Sequence, residues 1–163
     1  MWNKELELAK KAAKAAGDFL KKREGIHVDA LEGKDIKLSS DKMSEKMIFD
    51  ILEESGIPVL SEEFGFKGQQ GECCWIVDPL DGTINYFKGL VEFACVSVAL
   101  WVKDRPVLGA VYRFMRDELF WGMEGDGAFL NGEKIKPSDI TDTSQAVMAT
   151  GFPVKRSYDT DSL

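Results

Sequence analysis

Histidine is nearly absent from this 163-residue sequence, His27 being the one example, and there are three cysteines, Cys73, Cys74 and Cys95. A phosphohistidine route would rest on that one residue in a polar connector, where a solvated imidazole is the plainer reading. No Cys-x-x-Cys pair occurs. Cys73 and Cys74 are adjacent, and neighbours in a strand point to opposite faces, so they do not converge on one zinc. The odd count fits free thiols in a reducing cytoplasm better than a disulfide framework.

Long apolar runs are missing too. No stretch approaches the roughly 20 apolar residues that a membrane-spanning helix needs. The opening MWNKELELAKKAAKAAGDFLKKR mixes acids and bases without the apolar core of a secretory signal. The expectation is a cytoplasmic location with no membrane partner. A basic excess is also lacking: 21 Lys and Arg face 28 Asp and Glu, a formal net charge of −7. Nucleic acid is therefore a poor fit as a partner. An anionic substrate would need local help from helix N-termini or bound cations. With no repeat, low-complexity tract or linker, the length predicts one domain with a real core.

What is present reads as an α+β order. Leu6, Ala9, Ala13, Ala16 and Leu20 keep helical spacing over residues 3–23. GIHVDALEGKDIKLSS is a polar connector or hairpin. A second helix is expected over 41–55, capped by Ser39 or Ser40, with Met43, Met47, Ile48, Ile51 and Leu52 as its apolar stripe and Gly56 as its stop. Then come PVLSEE, a flexible FKGQQGE loop, the buried run CCWIV, FACVSVALWV, PVLGAVYRF, ELFWGM, a short strand within GDGAFLNGEKI, and AVMATGF as a last strand candidate. Short links favour antiparallel neighbours. Two N-terminal helices layered on a mostly antiparallel sheet of about six strands is the expected architecture.

The chemistry concentrates where strands end in acids. Glu62 and Glu63 close the strand after Pro58; Asp78 closes CCWIV, and Asp81 follows one turn on. If those strands are neighbours, the carboxylates meet at one edge and raise one another's pKa. A hard divalent cation such as Mg2+ relieves that repulsion, and its open positions suit a phosphate oxygen and a water. Pro79 sharpens the turn, and Gly82 leaves its N–H accessible. If GTIN opens a helix, the N–H groups of Gly82 and Thr83 form an anion cradle, and the Thr83 hydroxyl can orient a water. Taken alone, DPLDG is also a good turn sequence, and paired glutamates are commonly a solvated surface. The combination of strand, acids and glycine-threonine step favours the metal-phosphate reading.

WIVDPLDGTINY resembles the first signature of the inositol monophosphatase family of magnesium-dependent phosphatases. LSEEFG is similar to the family's Glu-Glu element, GKDIKLSSDKMSEKMI to the segment ahead of its second helix, and GAVYRFMRDELFWGMEGDGAFLNGEKIKPS to its hairpin region. The resemblance implies Glu62 as a ligand to a first Mg2+ and orienter of the attacking water, with Glu63 a neighbour. It implies Asp78 as a bridging ligand, Asp81 as ligand to a second metal, and the Leu80 carbonyl completing the first site. Thr83 would hold the nucleophilic water with Asp41 accepting from its hydroxyl, the Gly82 and Thr83 backbone would bind phosphate, and Lys34 aligns with a basic residue near the site. The implied reaction is in-line attack of an activated water on a small phosphate monoester. DGTINY leans toward an inositol phosphatase or a dual inositol/fructose type, with fructose 1,6-bisphosphate and nucleotide 3'-phosphates as the other substrates that relatives handle.

Residues 1–163 match the N-terminal metal-binding portion of that family's αβαβα sandwich. Its second half, with a Trp-Asp-x-Ala-Ala-Gly signature carrying a further ligand, has no counterpart here. The expectations are one sheet face without its covering layer, self-association or a missing C-terminal portion, and weak or no turnover by the isolated chain. A non-catalytic binding or regulatory module is the alternative, since some bacterial relatives serve as protein partners in RNA metabolism.

Overall fold

The structure is a computed structural model that describes residues 2–23, 28–32, 35–69 and 71–149. Helix α1 spans Asn3–Lys21 and buries Leu6, Leu8, Ala9, Ala12, Ala13, Ala16, Gly17 and Leu20. Its small side chains let it lie close on the sheet. A Cβ on Gly17 would fall 2.3 Å from the Tyr112 ring. Strands β1 (Val28–Glu32) and β2 (Asp35–Leu38) form an antiparallel ribbon, so the polar connector is a hairpin.

Helix α2 spans Ser39–Leu52 and passes into a 3-10 turn at Glu53–Ser55 that ends at left-handed Gly56. Its N-cap is Leu38, whose N–H donates to Asp41 Oδ2 at 2.9 Å, in place of a serine cap. The buried face also differs from the expected stripe. Met43 is 51% exposed, while Ser40, Asp41, Ser44 and Glu45 are buried alongside Ile48, Phe49 and Leu52.

The remaining strands form one sheet: β3 Val59–Ser61, β4 Gly65–Lys67, β5 Cys73–Asp81, β6 Cys95–Val102, β7 Arg105–Arg113, β8 Glu118–Met123, β9 Gly127–Leu130 and β10 Glu133–Ile135. The order is β10-β9-β8-β7-β6-β5-β3-β4, eight strands where about six were expected. The extra two are short: β4 takes Gly65 and the first two residues of the expected flexible loop, and the glycine-rich stretch folds as a β9–β10 hairpin. All pairings are antiparallel except β3 with β5, which is parallel. The stretch 146–149, part of the last strand candidate, has no regular structure; the rest of that candidate lies outside the described residues.

Strand alternation sorts the sheet into two faces. Trp75, Val77, Val96, Val98, Leu100, Ala110 and Tyr112 are buried in the core with α1 and α2. Ile76, Ala99, Val111 and Phe120 alternate with them, half-buried, on the opposite face, where Leu60 is 41% exposed. No described helix covers that face. No helix of the described residues is long and apolar enough to cross a membrane.

Candidate functional site

The parallel pairing of β3 and β5 brings two strand ends out side by side. Ser61 is opposite Val77, and the Glu62 N–H donates to the Val77 carbonyl at 3.2 Å. Glu62 and Asp78 are thus the next residues on adjacent strands, side by side at the strand ends. Burial pushes the Asp78 carboxyl up to about 7, helped by the charges of Glu62 and Asp81; the Leu80 N–H pulls the other way. That N–H lies 3.1 Å from Asp78 Oδ1.

Asp78 and Asp81 are joined by a bulge, where a turn was expected. Asp78 faces Ser97 and Asp81 faces Cys95, three steps on β5 against two on β6. The grip of β6 carries the chain straight through Pro79 and Leu80, and the reversal waits for Gly82, at φ 86°. A Cβ there would sit 2.4 Å from the Phe93 carbonyl oxygen, so only glycine fits. Helix α3, Thr83–Phe87, starts directly after it, as GTIN suggested.

The Thr83 hydroxyl donates to the Leu80 carbonyl at 2.9 Å; the partner expected from the resemblance was Asp41. Asp41 itself is 2% exposed, with Oδ2 occupied by the Leu38 N–H. Lys34 and His27 lie outside the described residues. Glu63 is half-buried beside exposed Glu62.

Three neighbours were not picked out from the sequence. Ser44 Oγ donates to the Pro79 carbonyl at 2.7 Å, and Glu45 Oε1 accepts from the Phe64 N–H at 2.9 Å. The signal available was their spacing after Asp41, three and four residues on, which places all three on one helical face. The third is Cys95, whose thiol lies 3.6 Å from Asp81 Oδ2. Burial, then the charge of Asp81, pushes that thiol up to about 12, so it is a neutral wall of the site and not a nucleophile. Cys73 and Cys74 are likewise half-buried free thiols.

A shallow cleft of about 420 Å³ opens beside the acids on the uncovered sheet face, lined by Leu60, Glu62, Ile76, Asp78 and Ser97. Among the described residues, no group of three or more His, Cys, Asp or Glu side chains stands close enough together to hold a metal ion. The donor chemistry nevertheless fits a hard dication. Glu62, Asp78 and Asp81 offer only oxygen, and burial, then the charges of Glu62 and Asp81, pushes the Asp78 carboxyl up to about 7.

Comparison with known proteins places these features in a group. The sequence pattern of the inositol monophosphatase family matches residues 1–162. A fructose-1,6-bisphosphatase/inositol-1-monophosphatase of Aquifex aeolicus is 39% identical over 162 residues, covering 96% of this chain and 61% of its own length. The Nus factor SuhB of Pasteurella multocida is 35% identical over 161 residues, covering 94% and 60%. Among solved structures, the extragenic suppressor protein suhB of Bartonella henselae superposes with TM-score 0.79 at 31% identity, over 85% of this chain and 56% of that one. The chain spans about 60% of the length of these curated relatives.

Proposed function

Because the chain belongs to the inositol monophosphatase family, we propose that it carries the metal-binding portion of a Mg2+-dependent phosphatase acting on a small phosphate monoester, with inositol monophosphate the leading substrate. The carrying observation is the placement of Glu62 and Asp78 at the ends of two adjacent parallel strands, with Asp81 just beyond the bulge. The name of the Aquifex aeolicus relative supports the inositol/fructose branch; fructose 1,6-bisphosphate and nucleotide 3'-phosphates are the competing substrates. The reading places the protein in the cytoplasm, as its free thiols suggest.

Glu62, Asp78 and the Leu80 carbonyl would hold the first cation and Asp81 would serve the second. When bound, Mg2+ supplies Lewis acidity: it offsets charge on the phosphate and eases loss of a proton from water. Glu62 orients the attacking water. Thr83 holds that water from the other side, its hydroxyl directed to Asp41 once the Leu80 carbonyl is engaged. The backbone N–H groups of Gly82 and Thr83 take the phosphate oxygens, where the left-handed Gly82 lets the ligand approach the chain closely. The test is Mg2+-dependent phosphate release from inositol 1-phosphate, fructose 1,6-bisphosphate and a 3'-phosphoadenosine nucleotide side by side. Release that ignores Mg2+, or that survives Asp78→Asn, contradicts the proposal.

A second reading, a binding or regulatory module, draws on the uncovered sheet face and on the Nus factor relative. It predicts association, with itself or with a complementary polypeptide, that persists when Asp78 and Asp81 are both changed to Asn. A monodisperse monomer by sedimentation, with that face closed to hydrogen exchange, would count against it.

A further inference from the structure

Both acid-bearing loops are held from behind by α2. Ser44 is 0% exposed and Glu45 is 6% exposed. Ser44 grips the carbonyl of Pro79, the residue between Asp78 and Leu80. Glu45 grips the N–H of Phe64, two residues beyond Glu62. An apolar side chain at position 45 would simply extend the buried patch of Ile48, Phe49 and Leu52 and would need no partner. A carboxylate so far removed from water is costly unless a specific contact requires it.

The loops need such an anchor. Residues 62–64 turn between two three-residue strands, and Phe64 is 64% exposed, its ring set edge-on to Phe49 of α2 with centroids 6.1 Å apart, so the packing of this turn is also supplied by α2. Pro79 has no N–H and sits in the bulge, where the ladder to β6 is interrupted. Like charges on Glu62, Asp78 and Asp81 push these segments apart. Hydrogen bonds from one rigid helix to both segments oppose that repulsion.

We propose that Glu45, seconded by Ser44, is a positioning residue: α2 clamps both loops so that Glu62 and Asp78 stand as a preformed pair for a divalent cation. The ligand's identity rests on the phosphatase reading above; the clamp itself rests on the two hydrogen bonds.

The test uses Glu45→Ala, Glu45→Gln and Ser44→Ala, with Ile48→Val as a control that loosens the same helix. Gln keeps an oxygen to accept from Phe64 and drops the charge. Two quantities are measured on the whole chain: Mn2+ affinity by paramagnetic resonance, and hydrogen exchange of the Phe64 amide. Glu45→Ala should weaken Mn2+ binding on the order of tenfold or more and speed exchange at Phe64. Ser44→Ala should weaken Mn2+ binding severalfold. Glu45→Gln should stay within about threefold of the parent in both quantities, and Ile48→Val should bind Mn2+ as the parent does. Parent-like Mn2+ binding by Glu45→Ala overturns the clamp. So does a Gln variant whose Mn2+ binding falls on the order of tenfold or more below the parent's, since charge and not geometry would then be at work; that outcome can be read even if Glu45→Ala does not fold. A parent chain with no Mn2+ affinity overturns the phosphatase reading, and the Phe64 exchange data then decide the clamp alone: unchanged exchange in the variants rejects it.

Discussion

Glu62 and Asp78 stand side by side where two parallel strands end, and burial, then the charges of Glu62 and Asp81, pushes the Asp78 carboxyl up to about 7. Folding without a divalent cation therefore takes up a proton. The folded pKa lies above the ordinary value of 3.8, so the native state binds more protons than the unfolded chain between about pH 4 and 7. Stability should fall as pH rises through that window, and the penalty should be complete above pH 7. Asp78→Asn removes it. In the presence of chelator the variant should be more stable than the parent at pH 8, by about 1–3 kcal/mol in urea unfolding, with the difference shrinking toward pH 4. A variant less stable than the parent at pH 8 would count against the crowding.

Divalent cations should reverse this penalty. Mg2+ or Mn2+ binding to the native state alone raises stability by mass action, about 2.7 kcal/mol at a hundredfold excess over the dissociation constant. The melting temperature of the parent should rise with added Mn2+, and that of Asp78→Asn should rise much less. Equal shifts in both proteins would mean that the cation binds elsewhere.

Gly82 should tolerate no side chain. Its φ of 86° and the Phe93 carbonyl oxygen, 2.4 Å from where a Cβ would stand, act together. Gly82→Ala should lower stability by about 1–3 kcal/mol and abolish phosphate release. Parent-like thermal unfolding of the variant would show that the loop yields without strain.

Much of this arrangement is legible in the residues. The small-residue spacing of α1 and the unbroken apolar run of β5 follow from periodicity, and both lie where expected. The acids at the strand ends are visible as well. What the sequence does not carry is register. Nothing local says that Val59–Ser61 pairs in parallel with Trp75–Val77, because that choice is made by distant packing, yet it alone brings Glu62 to Asp78. Nor does a three-residue strand such as Gly65–Lys67 leave a periodic trace. Ser44 and Glu45 look like solvent-facing residues until the loops that they hold are in place, which is why the stripe of α2 was expected one position around the helix.

The seat of α1 on the sheet offers an independent check. The Tyr112 hydroxyl lies 2.9 Å from Asp18 Oδ1 and 3.1 Å from Lys14 Nζ, tying the helix to β7. Burial pushes the phenol up to about 12, so it stays neutral through the physiological range. Tyr112→Phe should cost about 1 kcal/mol. Gly17→Ala, which drives a methyl into the same ring, should cost more. Chemical denaturation of the two variants, at a pH where Asp78 is fully ionised, measures both. If Gly17→Ala is neutral, the helix does not sit as closely as described.

The most direct measurement is the anomalous difference map of a crystal of this chain soaked in Mn2+. A peak within bonding distance of both Glu62 and Asp78 is the predicted result, and it should vanish in Asp78→Asn crystals. No peak beside these carboxylates, or the two side chains standing well apart, would contradict the claim that paired strand ends build a cation site.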